Sequence, residues 1–327
     1  MTAIAVLGST NMDLVAYVAR APGRGETVTG REFLTVPGGK GANQALAAAR
    51  AGGQVVMIGA VGTDEYGSRL RTNLEHAGVD TDLLHTVAGP SGTAHIVVDD
   101  EGSNAIVVVP GANGTVTTIG PGEHAAIAAA GLLLLQLELP LTAVTEAARA
   151  ARSLGVRTIL TPSPVRPLPA ELLDAVDLLV PNEHEAAELS GHADPHAAAQ
   201  ILLRLVPEVV ITLGPKGCLY AARGAEAVLF PAPEAVAVDT TGAGDTFVGT
   251  LAVALGEGRA VPEALAGRRR RRRSASRNRG RRRRCRTAAR SMPYEYARAG
   301  TGRAPGGPAG PGPRHTLRRA ARGDRAR

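Results

Sequence analysis

A carboxylate that follows a glycine-rich turn at the start of a helix can take a proton from a hydroxyl while backbone amides hold an anion beside it. Residues 239 to 245, Asp-Thr-Thr-Gly-Ala-Gly-Asp, have that arrangement. Ala235 to Val238 alternates small and β-branched residues like a strand, and Thr246 to Leu255 reads as a mostly apolar helix. Gly242, Ala243 and Gly244 are then expected at the helix N-terminus, where unpaired N–H groups and the macrodipole favour an anion. Asp245 is expected beside that anion hole as a general base. This set suits phosphoryl transfer, in which a protein mainly positions groups and neutralises charge. Alone, Gly-x-Gly-Asp also reads as a turn with an N-cap, so other segments must decide.

Gly38-Gly39-Lys40-Gly41-Ala42-Asn43-Gln44 is a second glycine cluster that opens a helix, expected over Ala45 to Arg50. It lacks the spacing and the following hydroxyl of a nucleotide-binding P-loop, and its cation and amides suit a polyhydroxylated ligand. His184, Glu185 and Glu188 lack the second histidine of a zinc protease, so helical surface explains them better.

Together these segments resemble the ribokinase family of sugar and nucleoside kinases, which includes the phosphofructokinase-B type, over residues 1 to about 265. The order of matches carries the resemblance. Ile4 to Asp13 looks like the family's first strand and its Asn-x-Asp. There follow Pro22 to Thr27, Gly38 to Gln44, Val61 to Asp64 with Gly67, Gly92-Thr93-Ala94 and Pro110-Gly111-Ala112-Asn113. Gln136-Leu137-Glu138, Pro181 to Glu185, Ile211 to Gly214 with Gly217, and Asp239 to Asp245 complete the series.

The resemblance implies roles. Asn11, Asp13, Gly39, Lys40, Asn43 and Glu138 would contact sugar hydroxyls. Asp245 would be the base, with Gly242, Ala243 and Gly244 as the anion hole. Asn182, Thr212, Gly214, Gly217 and Gly244 would bind ATP. Glu185 would organise Mg2+ through water, while Asp239 and Thr241 would hold K+. The activity implied is ATP-dependent phosphorylation of D-ribose to D-ribose 5-phosphate, with another sugar or a nucleoside as the alternative. Asn182 and Glu183 also read as the cap and first turn of a helix through Leu189. Thr161-Pro162-Ser163-Pro164 departs from the family's usual Asn-Pro-x-Pro.

The elements that must position these residues read as an α/β chain. Apolar runs at Ala3 to Leu7, Val55 to Ile58, Leu132 to Leu135, Thr158 to Leu160, Leu178 to Val180 and Val209 to Thr212 alternate with alanine-rich helical stretches. That pattern predicts a parallel sheet covered by helices, a three-layer α/β/α ribokinase-like domain over residues 1–265. Val15 to Val18, Thr29 to Thr35, Ala94 to Val98 and Ala105 to Val109 read instead as alternating strands. By resemblance they form a small β-sheet lid, within about residues 13–37 and 93–110, through which the family pairs as homodimers.

Two cysteines, Cys218 and Cys285, and the lack of a signal-like apolar start or a long apolar span point to a reducing cytoplasm and to no membrane partner. Charge divides the chain. Residues 266–327 contain 22 arginines and no lysine against Glu295 and Asp324, a net of +20. The remaining 15 basic and 28 acidic residues give the first 265 positions a net of −13. This Arg/Gly/Pro-rich tail cannot bury enough apolar surface to fold alone, and disorder is expected. One reading makes it a nucleic-acid tether on an inactive ribokinase-like body, although no aromatics interleave the arginines. The favoured reading is a frameshift near Ala266, since alanine codons of a GC-rich gene read one base later encode arginine. The family's adenine-side wall would then be missing, with weakened ATP binding and low turnover.

Overall fold

The computed structural model describes residues 3–233 and 241–267. The expected strand at 235–238, Asp239, Cys285 and the tail from residue 268 lie outside the described residues. In chain order the strands begin with β1 (Ala3–Leu7), β2 (Asn11–Val18), β3 (Gly30–Gly38), β4 (Gln54–Gly62), β5 (Leu84–Val87), β6 (Gly92–Val98) and β7 (Asn104–Val109). They continue with β8 (Leu132–Leu135), β9 (Arg157–Leu160), β10 (Leu178–Leu179), β11 (Glu208–Thr212), β12 (Cys218–Ala222) and β13 (Val228–Phe230). The helices are α1 (Lys40–Arg50), α2 (Glu65–His76), α3 (Pro121–Ala129), α4 (Leu141–Ser153), α5 (Ala170–Leu173), α6 (Glu183–Ser190), α7 (Pro195–Leu202), α8 (Ala243–Gly256) and α9 (Val261–Leu265).

A nine-stranded sheet runs in the order β13-β12-β11-β10-β9-β8-β1-β4-β5. It is parallel from β11 to β5, and β12 and β13 close one edge as an antiparallel hairpin. Successive strand residues point to opposite faces. Ala5, Leu7, Leu133 and Leu135 therefore enter one core with α3 to α7, while Ile4, Val6, Leu132 and Leu134 enter the other with α1, α2, α8 and α9. Burial on both faces explains why β1 and β8 are uniformly apolar. The architecture is the three-layer α/β/α fold expected, with a lid.

Order along the sheet reverses at β1, because the chain proceeds from β1 to β4 and β5 on one side and then to β8 on the other. Open α/β sheets bind ligands at such a switch point, beyond the carboxyl ends of the strands. The lid is a four-stranded sheet in the order β3-β2-β6-β7. Strand β2 pairs antiparallel with β3 and parallel with β6, and β7 is exposed along its whole length.

Two helices start earlier than their sequence suggests. Helix α1 begins at Lys40 rather than Ala45, because Gly39 adopts φ 94° as its N-cap and turns the chain sharply out of β3. Helix α8 begins at Ala243 rather than Thr246, with Gly242 at φ 68° as N-cap. Both glycine clusters are thus partly first-turn helix.

Candidate active site

The ends of β1, β8 and β9 and the first turns of α1 and α8 converge at the switch point. Helices α1 and α8 approach closely because Gly249 has no side chain: a Cβ there would stand 2.6 Å from the Gln44 carbonyl oxygen and 2.7 Å from Ala47 Cβ. This approach sets Asn43 and Gln44 against Asp245, the third residue of α8. Gln44 Nε2 donates to Asp245 Oδ1 at 3.0 Å, and Asn43 Nδ2 donates to Oδ2 at 3.4 Å. The Asp245 carboxylate is buried, whereas Ala243 and Gly244 are exposed at the helix start. The first N–H groups of a helix have no intrahelical acceptor, so this turn presents donors to the surface beside a buried base.

A second carboxylate, Glu138, follows β8. Its Oε2 accepts from Ser9 Oγ, from Asn11 Nδ2 at 3.3 Å and from the Lys40 backbone N–H at 3.3 Å. Asn11 is oriented in turn by buried Asn113, whose Nδ2 donates to Asn11 Oδ1 at 2.8 Å and to the Thr10 carbonyl at 3.0 Å. Asn113 Oδ1 accepts from the Thr10 N–H at 3.0 Å. The third carboxylate, Asp13 on β2, lies against Gly38, where a Cβ would come within 2.3 Å of Asp13 Oδ2.

These three acids and Lys40 act on one another electrostatically. Burial, reinforced by the negative charges of Glu138 and Asp245 and opposed by Lys40, pushes Asp13 up to about 7. Burial also pushes Asp245 up to about 6, against Lys40 and the amides of Gln44 and Asn43, which favour its ionised form. A base with an affinity near neutrality is matched to proton transfer from a hydroxyl.

Asn182 and Glu185 lie apart from this cluster, at the start of α6. They form a reciprocal capping box: Asn182 Oδ1 accepts from the Glu185 N–H and Glu185 Oε2 from the Asn182 N–H, each at 2.8 Å. Thr212, at the end of β11, bridges Asn182 through the backbone, and the Gly214–Lys216 turn follows it. Gly217 packs so tightly that a Cβ would meet the Phe230 carbonyl oxygen at 1.9 Å. Thr241 is exposed and directly precedes Gly242.

Sequence reading gave no role to Gln136, Asn113 or Ser9, and it placed the Gln44 amide in a polar cradle for the ligand, whereas the side chain is buried against Asp245, Thr161 and Gln136. All four lie inside or beside the quoted motifs, but what each touches depends on folding distant segments together. Thr161, the departure from the family's asparagine, accepts from Gln44 Nε2 at 3.1 Å.

A proton acceptor held beside backbone donors, under a lid and facing a polar cradle, suits phosphoryl transfer to a polyol, and the class so defined is the carbohydrate kinases. The chain belongs to the pfkB family carbohydrate kinases, which residues 1–266 match. The ribokinase of Bacillus subtilis (strain 168) is 46% identical over 268 residues, spanning 81% of this chain and 89% of the relative. That of Schizosaccharomyces pombe is 38% identical over 282 residues, with the same coverages of 81% and 89%. The solved structure of Arabidopsis thaliana ribokinase complexed with ribose and ATP is 34% identical, with a TM-score of 0.75 over 81% of this chain and 89% of that one.

Proposed function

We propose that this chain transfers the γ-phosphoryl group of ATP to the 5-hydroxyl of D-ribose. The observation that carries this reading is the buried Asp245 carboxylate in the first turn of α8, held by Gln44 and Asn43. Asn11, Asp13, Gly39, Lys40, Asn43 and Glu138 are assigned to the sugar hydroxyls. Asp245 takes the hydroxyl proton as the sugar oxygen bonds to the γ-phosphorus, and the bond from that phosphorus to the bridging oxygen breaks to release ADP. The amides of Gly242, Ala243 and Gly244 offset the charge that develops on the phosphoryl oxygens.

Asn182, Thr212, Gly214 and Gly217 are assigned to ATP, with Gly244 touching its phosphates. Among the described residues no group of three or more His, Cys, Asp or Glu could hold a metal ion. The half-buried carboxylate of Glu185, one oxygen of which serves the capping box, fits a hydrated Mg2+ held through water and phosphate oxygens. Mg2+ supplies charge neutralisation when bound with ATP. Potassium is assigned to Thr241 and Asp239 on family resemblance.

The domain division proposed is a kinase body over residues 1–265 and a separate tail. Six apolar residues on the lid, Phe33, Leu34, Ile106, Val107, Val108 and Val109, are exposed, and β3 and β7 are open sheet edges. A homodimer through the lid would cover both. Among the described residues no helix is long and apolar enough to cross a membrane. A buried, free Cys218 agrees with the reducing cytoplasm assigned to the protein. The test is ADP formation by the full chain with D-ribose, Mg2+ and K+, with Asp245→Asn as blank. Ribose-dependent turnover above the blank supports the assignment, equal and measurable ribose-dependent rates in the two proteins refute the role of Asp245, and no turnover in either points to the altered tail.

A further inference from the structure

Gln44 is fully buried and uses its side-chain amide in three directions. Its Nε2 donates to Asp245 Oδ1 and Thr161 Oγ1, and its Oε1 accepts from Gln136 Nε2 at 2.7 Å. Gln136 is itself buried, and its own Oε1 has no hydrogen-bond partner among the described residues. That oxygen faces Gly8, where a Cβ would stand only 2.0 Å away. A buried amide oxygen without a partner is uncommon and calls for a cause.

The cause lies at the other end of the chain of bonds. An ionised carboxylate only accepts, so Gln44 must turn its NH2 toward Asp245. Its oxygen is then committed to Gln136, which must turn its own NH2 toward Gln44. The carbonyl of Gln136 is what remains, left against the backbone of Gly8. Each amide orientation follows from the one before, beginning at the acid.

We propose that Gln44 and Gln136 are positioning residues, a two-amide relay that ties off Asp245 Oδ1 and leaves Oδ2 as the oxygen that takes the acceptor proton. Among the described residues Oδ2 has only the longer 3.4 Å contact from Asn43 Nδ2 and is the freer of the two. This inference rests on the reading of Asp245 as the base. Lys40 on α1, Glu138 after β8 and Asp13 on β2 are the other charged groups acting around Asp245, and all three stay in place in the variants below.

The test is a titration of the Asp245 carboxyl by NMR in the full chain carrying 13C-labelled aspartate, with the resonance assigned by its loss in Asp245→Asn. Gln136→Leu keeps the volume near that of glutamine and removes the donor to Gln44. Asp245 should then titrate about one pH unit higher, since loss of a hydrogen bond to the ionised form raises a carboxyl. Gln136→Glu can donate to Gln44 only while protonated. Its ribose turnover should match wild type toward acid pH and fall away as the new carboxyl ionises, with kcat reduced roughly tenfold and KM for ribose unchanged. A merely structural glutamine would give no such pH-dependent recovery. An Asp245 titration that is unmoved in both variants overturns the relay, whether or not the chain turns over. If Gln136→Leu fails to fold, the Asp245 titration in Gln136→Glu decides alone. Turnover surviving in Asp245→Asn refutes the base reading separately.

Discussion

Asn113 donates its side-chain amide to Asn11 Oδ1 at 2.8 Å across 102 residues of sequence, and so turns the Asn11 amide toward Glu138. The same side chain closes both backbone groups of Thr10, at 3.0 Å each. Asn113→Leu leaves the Thr10 N–H and C=O buried without partners, at a cost of roughly 2 to 4 kcal/mol. Asn11, assigned above to the sugar hydroxyls, also loses the hydrogen bond that orients it. We expect a lower melting temperature and a KM for ribose raised roughly tenfold, with kcat changed less. Calorimetry and steady-state kinetics on the same preparation check both, and a selective loss of kcat would contradict the assignment.

Asp245 must be ionised to act as a base, and its burial holds the proton up to about pH 6. The rate therefore falls as pH drops through about 6, rather than near the ordinary carboxylate value of 3.8. Asp245→Asn should lower kcat by about a thousandfold or more, with ribose still bound, because general-base catalysis contributes on that order. A profile of kcat/KM between pH 5 and 9, with ribose binding followed by calorimetry, measures both. An acid limb near pH 4 would show that the carboxyl is not held in this environment.

Much of this was legible in the residues, and what was hidden has a physical reason. Strands β1 and β8 are buried on both faces, so Ala3–Leu7 and Leu132–Leu135 appear as unbroken apolar runs. Strand β5, Leu-His-Thr-Val, is half exposed, and the edge strand β13 is only three residues long and largely exposed, so neither has that signature. The start of α1 was obscured because Gly38 to Gly41 resembles a turn, while in the fold Gly39 makes the turn and Gly41 is already helical. In the site, glycine spacing brought Asn43 and Asp245 to notice. Gln136 and Asn113 carry no spacing signal, since their partners lie about a hundred residues away in sequence.

Asp13 holds its proton up to about 7 in the folded chain against 3.8 ordinarily. The folded state therefore binds a proton that the unfolded chain has released, and the resulting stability is greatest below pH 3.8 and is lost as pH rises through about 7. At pH 8 the ionised, buried Asp13 costs roughly 2 to 4 kcal/mol. Asp13→Asn should accordingly melt roughly 5 to 10 °C higher than wild type at pH 8. The difference should shrink to less than half at pH 5, where the folded wild type is already protonated. Ribose affinity should fall at both pH values, the exchange of stability for function common at binding sites. Thermal melts at the two pH values decide, and a gap that widens toward acid pH would reverse the sign of the coupling.

Val107 is 64% exposed on β7 and Phe33 is 62% exposed on β3, on strands that form the two edges of the lid sheet. Apolar side chains left at unpaired edges attract a partner, and a second copy of the lid offers the same residues in a self-complementary arrangement. A charge placed there costs little in an isolated chain because the position is already in water. In a lid-mediated dimer it becomes a buried, unpaired charge on both subunits. Val107→Asp should therefore sediment as a monomer at concentrations where the parent chain is a dimer, with its melting temperature at low protein concentration unchanged. Analytical ultracentrifugation across a hundredfold range of concentration makes the comparison. An unaltered dimer would place the interface elsewhere, and a parent chain that is monomeric throughout would refute pairing by the lid.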